Sequence, residues 1–378
     1  MRRISTLIAA ILCASAWLLV SCGSPRSGPA NAPSAAGDDK ILNLFIWSDY
    51  MAPDTVSGFE KLTGIKVRVA YFDSYETLEA KILTGHSGFD VVLPTSGLFA
   101  REIHAGAYLP LDKTKLPNLR NLDPVMMARE AQSDSGSLHG VVYMTSTVGI
   151  GFNQKIISER YPKAPLTSWR LVFDPAWASK WAPCGMNFID DPVAIVQIML
   201  KFLGRESAAP SADDYAEAEK HLMLIRPYVR TIDTSGEIEA MANGDICISV
   251  GYSGDFVQAN KRAKEAKNGI QVGYLLPEEG SLLGLDFLAI PKDAVHVDNA
   301  HKFINYMMDP HVAANISNFI GFANANLAAT PFLDPDIASN TAIYPTPDQL
   351  KRLTVQNETS SDQSRTITRI WQKFKTGQ

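Results

Sequence analysis

The apolar run Ile41–Trp47 stops abruptly at Ser48-Asp49-Tyr50, which is the pattern of a buried strand with an exposed end. Residues 52–63 follow with helical spacing, Pro53 standing in the first turn and Gly64 at the stop. Lys66–Phe72 alternates as a strand. Residues 74–85 read as a second helix, with Ser74 as N-cap and Leu78 and Ile82 on one face. Residues 89–93 form a short buried strand that ends at Pro94-Thr95-Ser96. Strand, helix, strand, helix, strand predicts right-handed crossovers, a largely parallel sheet, and three strand ends along one rim.

Further along, Gly140–Asn153 is a long extended run containing Gly149 and Gly151. It reads either as two strands or as one strand passing from a first lobe into a second. A second α/β set follows: a strand at 186–189, helices at 195–203 and 211–225, and a strand at 246–250 ending in Gly251-Tyr252-Ser253-Gly254-Asp255. Residues 282–291 repeat the strand with an exposed end. Helices are predicted at 298–308, 310–319 and in part of 349–375.

The N-terminus has a different character. Arg2 and Arg3 precede the apolar stretch 4–20 and the sequence Leu19-Val20-Ser21-Cys22, which describes a secretory signal. The residues ahead of Cys22 resemble a bacterial lipoprotein box, so 1–21 is expected to be removed and Cys22 lipidated; the other reading is a plain signal peptide with an incidental cysteine. Residues 22–39 are rich in Gly, Ser, Pro and Ala, the composition of a flexible tether.

Charge and cysteine count narrow the rest. A net charge of −5, falling to −7 without Arg2 and Arg3, is not that of a nucleic-acid binder. With Cys13 lost and Cys22 lipidated, Cys184 and Cys247 remain, either as one disulfide or as two buried thiols. The seven histidines form no metal-binding pair, and no nucleophile motif or dinucleotide loop is complete. Neither a cofactor nor an enzymatic activity is expected.

The binding chemistry collects at strand ends, where open α/β sheets receive ligands. Trp47, Ser48, Asp49 and Tyr50 together offer rings and acceptors to an aliphatic cation, or else cap the core. Asp286, inside the apolar run Leu282–Leu288, needs a cationic or donor partner, which an internal Lys or Arg would also satisfy. Asp255 serves equally as the N-cap of a helix at 256–265. Aromatics alternating with carboxylates suit an amine with charge at both ends.

At these residues the chain resembles the periplasmic putrescine- and spermidine-binding proteins of bacterial ABC importers. The landmarks are WSDYMAPDTVSGFEKLTGIKV, GFDVVLPTS, AGAYLPLDKTKLPNLRNLDP, ANGDICISVGYSGDFVQANKRAKEAKNG and FANANLAATP, and the resemblance covers about residues 42 to 372. The resemblance implies a two-lobed α/β periplasmic-binding-protein fold, type II-like, each lobe a mainly parallel sheet flanked by helices. Residues 41–145 plus about 283–325 would form the first lobe, and about 146–282 plus 326–378 the second. It implies an aromatic box of Trp47, Tyr50, Tyr252 and Phe322, amine-binding Asp255 and Asp286, polar neighbours Ser48, Asp49 and Thr95, and a Cys184–Cys247 disulfide.

Two positions depart from the pattern, Ala194 standing for a Glu and Gly284 for an aromatic residue, while Asp191 and Gln356 match the spermidine-type pocket. Spermidine is therefore expected above putrescine. The implied partners are an ABC permease and its ATPase, with the protein monomeric and lipid-anchored in the periplasm. A polyamine sensor presenting its closed form to a transmembrane signalling protein is the alternative.

Overall fold

The computed structural model describes residues 40–205, 209–356 and 359–378. The signal, Cys22 and tether readings lie outside them. Among the described residues eleven strands run in chain order: β1 (Ile41–Trp47), β2 (Lys66–Phe72), β3 (Val91–Val92), β4 (Gly140–Asn153), β5 (Met186–Phe188), β6 (Thr231–Ile232), β7 (Ile248–Tyr252), β8 (Val272–Leu275), β9 (Ser281–Ala289), β10 (Ala323–Asn324) and β11 (Leu353–Val355).

The sheet order is β2-β1-β3-β9-β4-β7-β5-β6, with β10 and β8 paired to β4 and β11 to β9. The outer pairs β1–β2, β1–β3, β5–β6 and β5–β7 are parallel, as the alternation of strands and helices requires. The centre, β4 against β9 and β7, is antiparallel. Gly140–Asn153 is thus one continuous strand of 14 residues, and it changes partner along its length. Gly140–Thr147 pairs with β9, and Val148–Phe152 pairs with β7.

Its glycines have packing roles. A Cβ on Gly151 would lie 2.0 Å from the Phe256 ring, and one on Gly149 would lie 2.5 Å from the Leu275 carbonyl oxygen. Only a bare backbone lets these neighbours approach.

Among the described residues the two largest hydrophobic cores form on either side of this crossing. One gathers Leu42, Leu44, Phe59, Phe99, Phe287 and Phe303, together with Leu353 and Val355 of β11. The other gathers Trp169, Trp181, Phe188, Ile195, Ile248 and Phe374. Each fully buried large side chain contributes about 1.5–3 kcal/mol through removal from water.

Element ends differ from expectation in two informative places. The first helix is Thr55–Thr63, with Pro53 in the turn before it and Gly64 at φ 71 closing it. The helix expected at 195–203 is Pro192–Phe202, because the Asp191 side chain accepts the Ala194 N–H at 2.9 Å and Pro192 occupies the first turn. Cys184 and Cys247, 63 residues apart in sequence, are joined as a disulfide with Cα atoms 5.5 Å apart. Among the described residues no helix is long and apolar enough to cross a membrane.

Candidate functional site

The strand ends open onto one cavity of about 600 Å³. Its wall includes Trp47, Ser48, Asp49 and Tyr50 from the end of β1, Thr95 after β3, and Asp191 after β5. Tyr252 comes from the end of β7, Asp255 from the helix that follows it, Asp286 from β9, Phe322 from the turn before β10, and Gln356 from just after β11. All eleven residues singled out from the sequence therefore face a common space, although they span more than 300 positions of chain.

The aromatic wall is built by edge-to-face packing. Tyr50 meets Phe322 at 5.1 Å and 78°, and Tyr143 donates to the Tyr50 carbonyl oxygen at 2.7 Å. Phe322 lies against Gly254, where an added Cβ would come within 2.1 Å of the ring. Trp47 packs on Tyr75 at 5.0 Å and 81°. Such ring pairs hold their faces at fixed angles, so the cavity is shaped before anything enters it.

Three carboxylates sit deep in this space. Tyr50 Oη donates to Asp286 Oδ2 at 2.5 Å, and Thr95 adds a second hydrogen bond. Tyr252 Oη donates to Asp191 Oδ2 at 2.9 Å while Asp191 Oδ1 caps its helix, and the Gln356 amide also favours the charged form. Tyr75 and Tyr252 join their hydroxyls at 3.2 Å.

Asp255 differs from the other two. The alternative reading of it as an N-cap does not hold: the helix begins earlier, at Ser253–Ala266 with Tyr252 as N-cap, so Asp255 lies in the first turn and faces the cavity. Among the described residues nothing hydrogen-bonds its carboxylate.

Burial pushes Asp286 up to about 6 and Asp255 up to about 7, and it raises Asp191 as well. Among the described residues no Lys or Arg forms an ion pair with any of the three, so the internal salt bridge considered for Asp286 is not present. The charge of Arg262 opposes the rise at Asp255, but its ion pairs go to Asp49 at 3.6 Å and to Glu239. Behind Asp255 the buried Glu237, bonded to Ser249 and Asn187, is itself raised by burial and by the Asp255 charge.

Asp49 turns the chain after β1 in the left-handed region, φ 54, which an aspartate tolerates better than most side chains. Gly284 lines the cavity opposite Ser146, whose Oγ would stand 2.6 Å from an added Cβ. Ala194, by contrast, is buried in its helix and is not part of the wall.

Several wall residues were not predicted. Tyr75 opens the helix Tyr75–Leu83 three residues beyond the end of β2, one of the strand ends the sequence placed on the rim. Trp371, Gln372 and Lys375 come from the C-terminal helix Ser361–Thr376, where the local pattern gives only an amphipathic helix. Metal-holding clusters of His, Cys, Asp or Glu are absent among the described residues.

Residues 54–346 match the family of bacterial extracellular solute-binding proteins. The chain belongs to that family. Among relatives of this solute-binding protein, the putrescine-binding periplasmic protein SpuD of Pseudomonas aeruginosa is 41% identical over 352 residues, covering 93% of this chain and 96% of that one. The putrescine-binding periplasmic protein PotF of Escherichia coli is also 41% identical, over 344 residues, covering 90% and 93%.

In three dimensions the solute-binding protein superposes on a spermidine/putrescine ABC transporter protein from Listeria monocytogenes with a TM-score of 0.79 at 29% identity, covering 90% of this chain and 100% of that one. The fold is the two-lobed one of periplasmic binding proteins, and the family binds solutes rather than catalysing reactions.

Proposed function

We propose that this protein captures a linear polyamine in the cavity and passes it to an ABC permease and ATPase. The observation that carries the reading is that Asp191, Asp255 and Asp286 share one space without an ion-pair partner among the described residues, walled by Trp47, Tyr50, Tyr75, Tyr252 and Phe322. Ammonium groups restore the favourable environment that burial takes from the carboxylates. The rings cover the methylenes and add about 0.5–2 kcal/mol per desolvated cation–π contact. Ser48, Asp49, Thr95 and Gln356 complete the wall as polar neighbours.

Spermidine ranks above putrescine in this reading, since three unpaired acids suit three amines and Gly284 leaves one wall without a ring. The 41% identical relatives are putrescine binders by name, so the two ligands are to be compared directly. Capture closes the two lobes over the ligand, the chain passing between them at about 145 and 283 and again after β11, which packs in the first core. The working protein is a periplasmic monomer, tethered by a lipid on Cys22.

Titration calorimetry with putrescine, cadaverine, spermidine, agmatine and arginine decides the matter. Micromolar or tighter binding of polyamines with spermidine first supports the reading. Putrescine first refutes the ranking alone, and failure of every amine refutes the function.

A further inference from the structure

The charged side chains of the cavity wall are acidic with one exception: eight Asp or Glu face it, and Lys375 is its one Lys or Arg among the described residues. That ammonium is already engaged. Lys375 Nζ lies 2.5 Å from Asp190 Oδ2, and Trp371 Nε1 donates to Asp190 Oδ1 at 2.6 Å. Asp190 is the residue next to Asp191, so one of two adjacent carboxylates is neutralised by the protein and the other is left for the ligand.

Lys375 is held there by its element. It stands in the last turn of the helix Ser361–Thr376, where the helix dipole favours a cation. Buried Ile367, Ile370, Trp371 and Phe374 anchor that helix, and Arg226 Nη2 donates to the Lys375 carbonyl oxygen at 2.9 Å.

We infer that Lys375 is a built-in ammonium occupying a further amine subsite at Asp190, and that it sets the length of polyamine the cavity accepts. This rests on the proposed polyamine function. A primary ammonium on a four-carbon stem is chemically the end of a polyamine chain, so Lys375 fills Asp190 as a fourth ligand nitrogen would. A tetra-amine must displace it; a di- or triamine need not.

The test compares wild type, Lys375→Met, Lys375→Arg and Lys375→Met/Asp190→Asn by titration calorimetry with putrescine, spermidine and the tetra-amine spermine, with thermal melts confirming folding. Lys375→Met is expected to raise the spermine-to-putrescine affinity ratio roughly fivefold, the scale of one partly exposed ammonium–carboxylate contact. Lys375→Arg should keep the wild-type ratio, and Asp190→Asn in the Met background should abolish the gain. An equal gain for all three amines, meaning that Lys375 acts only through net charge, overturns the inference, as does an unchanged ratio. If folded wild type binds no amine, the polyamine function falls and the length limit with it.

Discussion

Asp286 shows what the site demands of a single side chain. Its carboxylate is held in an apolar strand by Tyr50 and Thr95 and is pushed up to about 6 by burial. Asp286→Asn keeps an acceptor for Tyr50 and removes the charge, so the melting temperature should stay level or rise while polyamine affinity drops at least roughly tenfold. Wild-type affinity in the variant would remove Asp286 from the site.

The pH response follows from the same groups. Unfolded aspartates titrate near 4, whereas Asp286 and Asp255 titrate at about 6 and about 7 in the folded protein. The ligand-free fold therefore holds these protons more tightly: their stabilising contribution is full below about pH 4 and is lost as pH rises to about 7. A bound cation reverses the preference. Affinity should decline as pH falls through about 7 and 6, and binding between those values should release protons, seen as heats that depend on the buffer. Heats independent of buffer would deny both aspartates a role.

At the scale of elements, the helix Pro192–Phe202 ties folding to binding through one residue, because Asp191 both caps it and faces the cavity. Asp191→Ala loses the cap, at a cost of about 1 kcal/mol, and the charge. Asp191→Ser restores the cap alone, so stability should recover in melts while affinity does not. Recovery of both would show that the charge is unused.

The same helix shows what local pattern conveys and what it omits. Trp47, Tyr50 and Asp286 were legible because polar or aromatic groups interrupt apolar runs at strand ends. The helix start at Pro192 was missed because its cap is a side chain already assigned to binding. Gly140–Asn153 stayed ambiguous because its residues are almost all buried, leaving no alternation to read. The contact of Lys375 with Asp190 spans 185 positions, a separation that short-range periodicity does not report.

For the molecule as a whole, the two cores explain the broad outline. The α/β alternation was readable from element order, whereas the two lobes came from the resemblance; β11 returns to the first core although its neighbours in sequence from Ile367 on pack in the second. The disulfide belongs to this scale, since it closes a long loop of the second core. Replacing Cys184 and Cys247 together by Ala should cost about 4 kcal/mol, the loop-entropy expectation for a 63-residue separation. Denaturant melts measure the loss, and polyamine affinity at low denaturant should be retained. A loss of affinity in the folded double variant would mean that the bond shapes the cavity as well.

That bond also has an evolutionary consequence. Cys247 immediately precedes β7, whereas Tyr252 ends it, about 16 Å away at the usual rise of a strand. The disulfide and a ring of the cavity wall thus occupy opposite tips of the six-residue segment Cys247–Tyr252. Mutational drift at one tip can retune recognition without loosening the other, a division that leaves descendants of this chain free to change diet while keeping their scaffold.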